Sequence, residues 1–280
     1  MKKRVVMYGA GGTGKRILPE LEKQYEVIAV IDSDSKKWGS NILGRLIENP
    51  EDVLKNKDRF EYVIVASQPG KDAIYETCRV NDIEEERVVD KYVSLQLNSR
   101  IQFIKDWSSI YGSLDGAVAE VGVFEGDFAK HLNSSFPNKE LYLFDTFEGF
   151  DARDIWVEQR LSSSVALQGD YRNTSVDLVM SKMTYPEKVH IKKGYFPDSA
   201  QGIEESFCFV NLDVDLYKPT LEGLKWLKGR IRKNGAVLVH DYFSETYGGP
   251  RQAVDEFLNM NPELNKLPIG DGISILLVGF

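Results

Sequence analysis

The chain has 280 residues, 42% apolar and 11% aromatic, which is comfortable for two domains and too rich in core-forming side chains for disorder. Its net charge of −8 is uneven, with 16 Lys and Arg against 17 Asp and Glu over residues 1–95 and 19 against 26 thereafter. An acidic second half is a poor partner for nucleic-acid phosphates, so RNA and DNA are not expected as substrates.

No run of about 18 apolar residues is present, so no membrane span is expected. The start, MKKRVVMYGAGG, reads as a first strand and not as a signal peptide. Cys78 and Cys208 are far apart, each in or beside an apolar run. Buried thiols, a reducing cytoplasmic setting and no cysteine-based zinc site are the expectation.

In chain order, residues 4–9 (RVVMYG), 27–32 (VIAVID) and 60–67 (FEYVIVAS) are short apolar runs rich in β-formers. A helix over about 13–24 lies between the first two, with Pro19 expected to kink it or delay its start. Apolar runs alternating with helices indicate a parallel sheet covered on both faces. The loop YGAGGTGKRI carries Gly9, Gly11 and Gly14, and Asp32 stands 18 residues after Gly14, where a ribose-binding acid of a dinucleotide fold belongs. An NTPase loop is excluded by Arg16, which stands where Ser or Thr must hold magnesium. The glycines and Asp32 fit either a nucleotide pocket or a purely structural docking domain.

From Ser94 to Tyr111 the apolar period lengthens: Leu97, Ile101, Ile104, Trp107 and Tyr111 mark an amphipathic helix leading into a second domain. Strands are then expected at 116–123, 141–147, 189–196, 207–214 and 236–242, a helix from about Asp127, and another over 174–183. A hairpin around Gly270-Asp271-Gly272 ends the chain. The polar interval 150–172 fits a mobile lid or an ordinary surface loop equally well. The expectation is an α/β protein of two Rossmann-like doubly wound domains, 1–92 and 93–280. The second, a parallel sheet closed by an antiparallel hairpin, resembles the class I methyltransferase shape by analogy of architecture.

The chemistry concentrates at strand ends. AEVGVFEGDF brings Glu120 and Gly122 to one edge, with Gly126 opening a helix, and LYLFDTF ends a neighbouring strand with Asp145 and Thr146. A glycine turn with an acid beside it suits an adenosine-type cofactor, S-adenosylmethionine or NAD. In VNLDVDLYKPT, Asp213 and Asp215 are two apart, which on a strand puts them on one face. One of them fits a helix cap, but two adjacent like charges call for a cation or a proton. AVLVHDY adds His240 and Asp241, and carboxylates with an imidazole make a divalent-metal site. A satisfied strand-end polar residue remains the alternative for His240.

EVGVFEGDFA, LFDTFEGF, LDVDLYKPTLEGL, NGAVLVHDY and PRQAVDEF, in this order, resemble the macrocin O-methyltransferase family of S-adenosylmethionine-dependent, metal-assisted sugar O-methyltransferases, over about residues 115–260. The resemblance implies that Glu120, Gly122, Gly126 and Asp145 line the cofactor, with Asp145 on the ribose. It implies that Asp213 and Asp241 bind the metal, usually magnesium, and that Asp215 matches the general base. His240 departs from the family's Asp-Asp-Tyr; it shifts the metal preference to a softer ion, acts as the base itself, or stands apart from the metal. Tyr217 and the segment 246–252 are candidates for shaping a pocket for a sugar, glycoside or nucleotide-sugar; Tyr217 fits packing as well. YGAGGTGKRIL, VIDSDSKKWG and VIVAS resemble the small Rossmann-like domain at the front of surface-polysaccharide enzymes, which implies a nucleotide or nucleotide-sugar ligand. Two other readings compete. An oxidoreductase or epimerase would need a Tyr-x-x-x-Lys pair, and after Tyr75 the fourth place holds Arg79. A non-catalytic protein with a lapsed methyltransferase domain is at odds with the retention of Glu120, Asp145, Asp213, Asp215 and Asp241 together. A homo-oligomer is left open.

Overall fold

A computed structural model describes residues 2–68, 70–161, 166–244 and 246–280, with the side chains of residues 96 and 97 outside that description. The chain forms two compact units, Met1–Asn98 and Ser99–Phe280.

In the first unit, strand β1 (Arg4–Tyr8), helix α1 (Gly12–Gln24) and strand β2 (Glu26–Ile31) are followed by β3 (Asn41–Ile42), β4 (Arg45–Glu48), α2 (Pro50–Leu54), β5 (Tyr62–Val65), α3 (Lys71–Val80) and β6 (Val88–Val89). The strands lie in the order β3-β4-β2-β1-β5-β6, all neighbours parallel except β3 and β4. Both faces are apolar, with Leu18 and Leu21 of α1 on one cluster and Ile74 and Cys78 of α3 on the other. Pro19 stands inside α1, which already begins at Gly12, so the expected late start does not occur.

Helix α4 (Lys91–Tyr111) runs through the division between the units. The second unit continues with β7 (Ala117–Val121), α5 (Ala129–Ser135), β8 (Leu141–Asp145), α6 (Ala152–Leu161), α7 (Val176–Ser181), β9 (Val189–Lys193), β10 (Phe207–Leu212), α8 (Tyr217–Leu227), β11 (Ile231–Val239), α9 (Gly249–Met260), β12 (Asn265–Pro268) and β13 (Ile275–Val278). The strand order is β12-β13-β11-β10-β7-β8-β9. Five strands are parallel, and the hairpin β12–β13 adds two antiparallel ones against β11. The chain winds outward from β7 through β8 and β9, then returns to the other side of β7 with β10. The order therefore reverses between β7 and β10, where ligands of open α/β sheets bind.

Several expectations need correction. The strands end earlier than their apolar runs, because the last residues leave the ladder to build the site. β10 stops at Leu212, so Asp213 and Asp215 do not share a strand face; Asp215 turns into the left-handed region at φ 56°. The helix after the glycine turn starts at Ala129, and Gly126 (φ 79°) lies in the turn before it. The interval 150–172 is not loop throughout: α6 buries Asp154, Ile155 and Glu158, while residues 162–165 and the Leu97 side chain lie outside the described residues. Both cysteines are free and buried. Among the described residues no helix is long and apolar enough to cross a membrane.

Candidate active site

At the C-terminal edge of β7 and β8 the backbone folds around one carboxylate. Asp145 Oδ2 accepts from the Val123 and Phe124 N–H groups at 2.7 and 2.9 Å, and Oδ1 from Phe147 N–H at 2.7 Å. Asp145 thus braces the glycine turn while Oδ1 keeps a lone pair. Gly122 (φ 83°) is required by the protein itself, since a Cβ there would overlap the Asp213 carbonyl. Gly126 lies against Val179 of α7. The smallness of both glycines serves chain packing before it serves any ligand. Thr146 Oγ1 donates to Gly149 O at 3.1 Å and shapes the following turn. Glu120 is buried in β7, its Oε1 accepting from Asn211 Nδ2 at 2.8 Å and its Oε2 without a partner. Burial, with Asp213 nearby, raises its pKa well above the usual carboxylate range.

Across the switch point, Asp213, Asp215, His240 and Asp241 offer ligand atoms that all lie within 4.8 Å of one another. Asp213 N–H donates to Val121 O at 2.8 Å and His240 N–H to Leu212 O at 2.9 Å, so the ladders of β10 and β11 place both residues. Asp215 and Asp241 are both left-handed, at φ 56° and 57°. Such strained non-glycine residues persist where the surroundings dictate them, chiefly at functional sites.

The electrostatics follow from crowding. His240 Nδ1 lies 3.0 Å from Asp213 Oδ1 and 2.8 Å from Asp241 Oδ2. Burial alone would lower its pKa, but the two carboxylates outweigh it and push it up to about 10. Burial likewise acts to raise Asp213 and Asp241, and His240 outweighs it, helped by Arg100 at Asp213 and by the Asp215 hydrogen bond at Asp241, so both are held low. Asp215 is driven well up, by burial first and then by the Asp241 charge and hydrogen bond. The group therefore holds protons that offset its crowded negative charges. Because the His240 pKa lies above its ordinary 6.5, its proton stabilises the fold fully below that pH, and the contribution is lost as pH climbs through about 10. With a chelator present, the melting temperature is expected to fall across that window. Melting curves of His240→Asn should show a shallower fall.

An aromatic wall flanks the acids. Tyr171 packs edge-on against Phe124 and Phe150, Phe150 against Tyr247, and the Tyr171 and Tyr247 hydroxyls are 3.3 Å apart. Burial and then Asp215 raise the pKa of both phenols, that of Tyr247 to about 12, so they stay neutral donors. Glu158 of α6 accepts from the Tyr217 N–H at 2.8 Å, fastening that helix to the start of α8. The Tyr217 hydroxyl itself donates to Glu256.

In the first unit, Gly9 and Gly14 are again demanded by packing. A Cβ on Gly9 would press on Ala66 at 2.9 Å, and one on Gly14 would overlap Gly9 O. Gly11 faces open space. Asp32 stands beside this loop, accepting from Ala10 N–H at 2.7 Å, Asp34 N–H at 2.9 Å and Lys37 Nζ at 3.0 Å.

Sequence reasoning missed Arg100, Asn211, Glu158 and Tyr171. Arg100 had a signal: it sits four residues before Ile104, on the apolar face of the helix. Asn211 interrupts the apolar run FCFVNL. Tyr171 had none, because it reaches the site through an irregular segment.

This sheet, with its reversal at β7 and β10 and its terminal hairpin, is the class I methyltransferase fold. The macrocin-O-methyltransferase (TylF) family model matches residues 108–268, and the chain belongs to that family. It is an S-adenosylmethionine-dependent O-methyltransferase. Residues 1–89 match a family described as C2185-like, N-terminal. No curated protein sequence matches significantly. Among solved structures, the calicheamicin methyltransferase CalS11 is similar with a TM-score of 0.54 and 16% identity, over 82% of this chain and 89% of that one. The O-methyltransferase NovP is similar at 0.50 and 19%, over 64% and 78%. Both share the fold.

Proposed function

We propose that the protein methylates a sugar hydroxyl in glycan or glycoside assembly, with a divalent cation held by Asp213, Asp241 and His240 and with Asp215 as the general base. The observation that carries this is the four-residue donor cluster at the sheet's switch point, beside the Asp145 turn. Three carboxylates and an imidazole, two of the carboxylates forced to share a proton, fit a divalent ion. Oxygen donors predominate, which suits magnesium, while His240 Nδ1 widens the choice toward softer ions.

A cation held by Asp213, Asp241 and His240 would favour the alkoxide form of a nearby sugar hydroxyl. S-adenosylmethionine, when bound, supplies the methyl group. The free lone pair of Asp145 Oδ1 and the unpartnered Glu120 Oε2 fit the hydroxyl and ammonium donors of that cofactor. With a cation held beside it, Asp215 would be free of its proton and would take the hydroxyl proton at a carboxylate oxygen. Phe124, Phe150, Tyr171 and Tyr247 offer apolar faces for a sugar ring and two neutral hydroxyls for its oxygens, and they keep water from the reacting pair. In the first unit, Gly11 leaves room at the start of α1 beside Asp32, which supports a nucleotide, such as that of a nucleotide-sugar, as its ligand.

The test is methyl transfer to a panel of glycosides and nucleotide-sugars with magnesium, manganese or excess chelator. Transfer should require a sugar hydroxyl and stop on chelation; full activity in chelator would remove the metal role. Asp145→Ala should weaken S-adenosylmethionine binding roughly 10–100-fold, the worth of a hydrogen bond to a charged acceptor, when followed by calorimetry.

A further inference from the structure

We infer that Arg100 is a positioning residue for the cation site, an inference that rests on the metal reading above. Arg100 lies on α4, upstream of the residues that the family model matches, yet within the second unit. Its side chain is 8% exposed. One guanidinium nitrogen, Nη2, donates both to Asn211 Oδ1 at 2.9 Å and to Asp213 Oδ2 at 2.8 Å. Asn211 in turn donates to Glu120 Oε1 at 2.8 Å. The guanidinium carbon sits 3.9 Å from the centre of the Phe128 ring.

Asp213 is thereby held at both ends. Oδ2 is anchored to Arg100, which leaves Oδ1 turned toward His240 and the cluster. Stacked on Phe128, the guanidinium has one orientation to offer. Burying a guanidinium is costly unless it is paired, so this arrangement is not an incidental packing choice. Its positive charge opposes a neighbouring cation, so any net benefit to metal binding must come from geometry. Partners of this kind, which orient ligands without touching the metal, are typically worth 10–100-fold in affinity. Through Asn211 the same nitrogen also links Asp213 to Glu120 at the end of β7.

Arg100→Lys separates geometry from charge, because lysine keeps the charge and loses the planar fork. Calorimetric titration of the full chain with MnCl2 should show affinity weakened roughly 10–100-fold by Arg100→Lys. In an Asp213→Asn background the same substitution should have little further effect, which a merely structural role would not produce. Equal Mn2+ affinity of wild type and Arg100→Lys overturns this inference alone. A wild-type chain that binds no Mn2+ overturns the metal reading and this inference with it. Should Arg100→Lys fail to fold, Phe128→Leu decides, since it frees the guanidinium without removing its charge: weakened Mn2+ binding supports the inference and unchanged affinity overturns it.

Discussion

Asp241→Asn is expected to lower methyl transfer by roughly 10³-fold or more, the scale of losing metal-assisted activation together with its proton bookkeeping. Asp241 is the most buried of the four candidate ligands, at 5% exposure, and touches two others. Asparagine keeps the volume and the left-handed backbone, which it tolerates well. It removes the charge that offsets His240 and that divides a proton with Asp215. The fold should survive, so S-adenosylmethionine affinity, measured in parallel, should change far less than turnover. A variant that retains wild-type turnover would show that the cluster is not the reacting centre.

Gly122→Ala should be the most damaging single methyl group in the second unit. At φ 83° any L-residue is strained by about 1–2 kcal/mol. Here the Cβ also meets the Asp213 carbonyl, a backbone atom that cannot swing aside. That carbonyl belongs to the residue whose N–H closes the β7–β10 ladder on Val121. Relief must come from parting the two central strands. A total cost of about 3–5 kcal/mol corresponds to a fall of about 10 °C in melting temperature for a unit of this size. Gly11→Ala is the matched control, because its Cβ would meet open space. Melting curves that coincide for the two variants would refute the packing account.

Much of this was legible because the apolar runs alternate so regularly. Both sheets, the terminal hairpin and the clustering of Asp213, Asp215, His240 and Asp241 follow from reading strand ends. What the sequence misjudged was how the cluster forms. Period-two alternation suggested that Asp213 and Asp215 share a face, whereas the chain leaves the strand at Leu212 and reaches the same place through a left-handed Asp215. The glycine turn also has a packing reason that the sequence did not reveal: a Cβ on Gly122 would overlap the Asp213 carbonyl. Arg100 and Asn211 each stand out locally as polar residues among apolar ones, but partners separated by 111 residues leave no pattern that pairs them. Tyr171 was hidden because irregular segments have no period to read.

The reversal of strand order between β7 and β10 also governs when the enzyme can come into being. Its two central strands, Ala117–Val121 and Phe207–Leu212, belong to distant stretches of the chain, and the last donors arrive only with His240 and Asp241. Pairings of such long separation are entropically late events in folding. A growing chain emerging from the ribosome therefore exposes the turn braced by Asp145 well before it owns the opposite wall. Closing the switch point is therefore a late step, and the four-residue cluster assembles only once β7, β10 and β11 have paired.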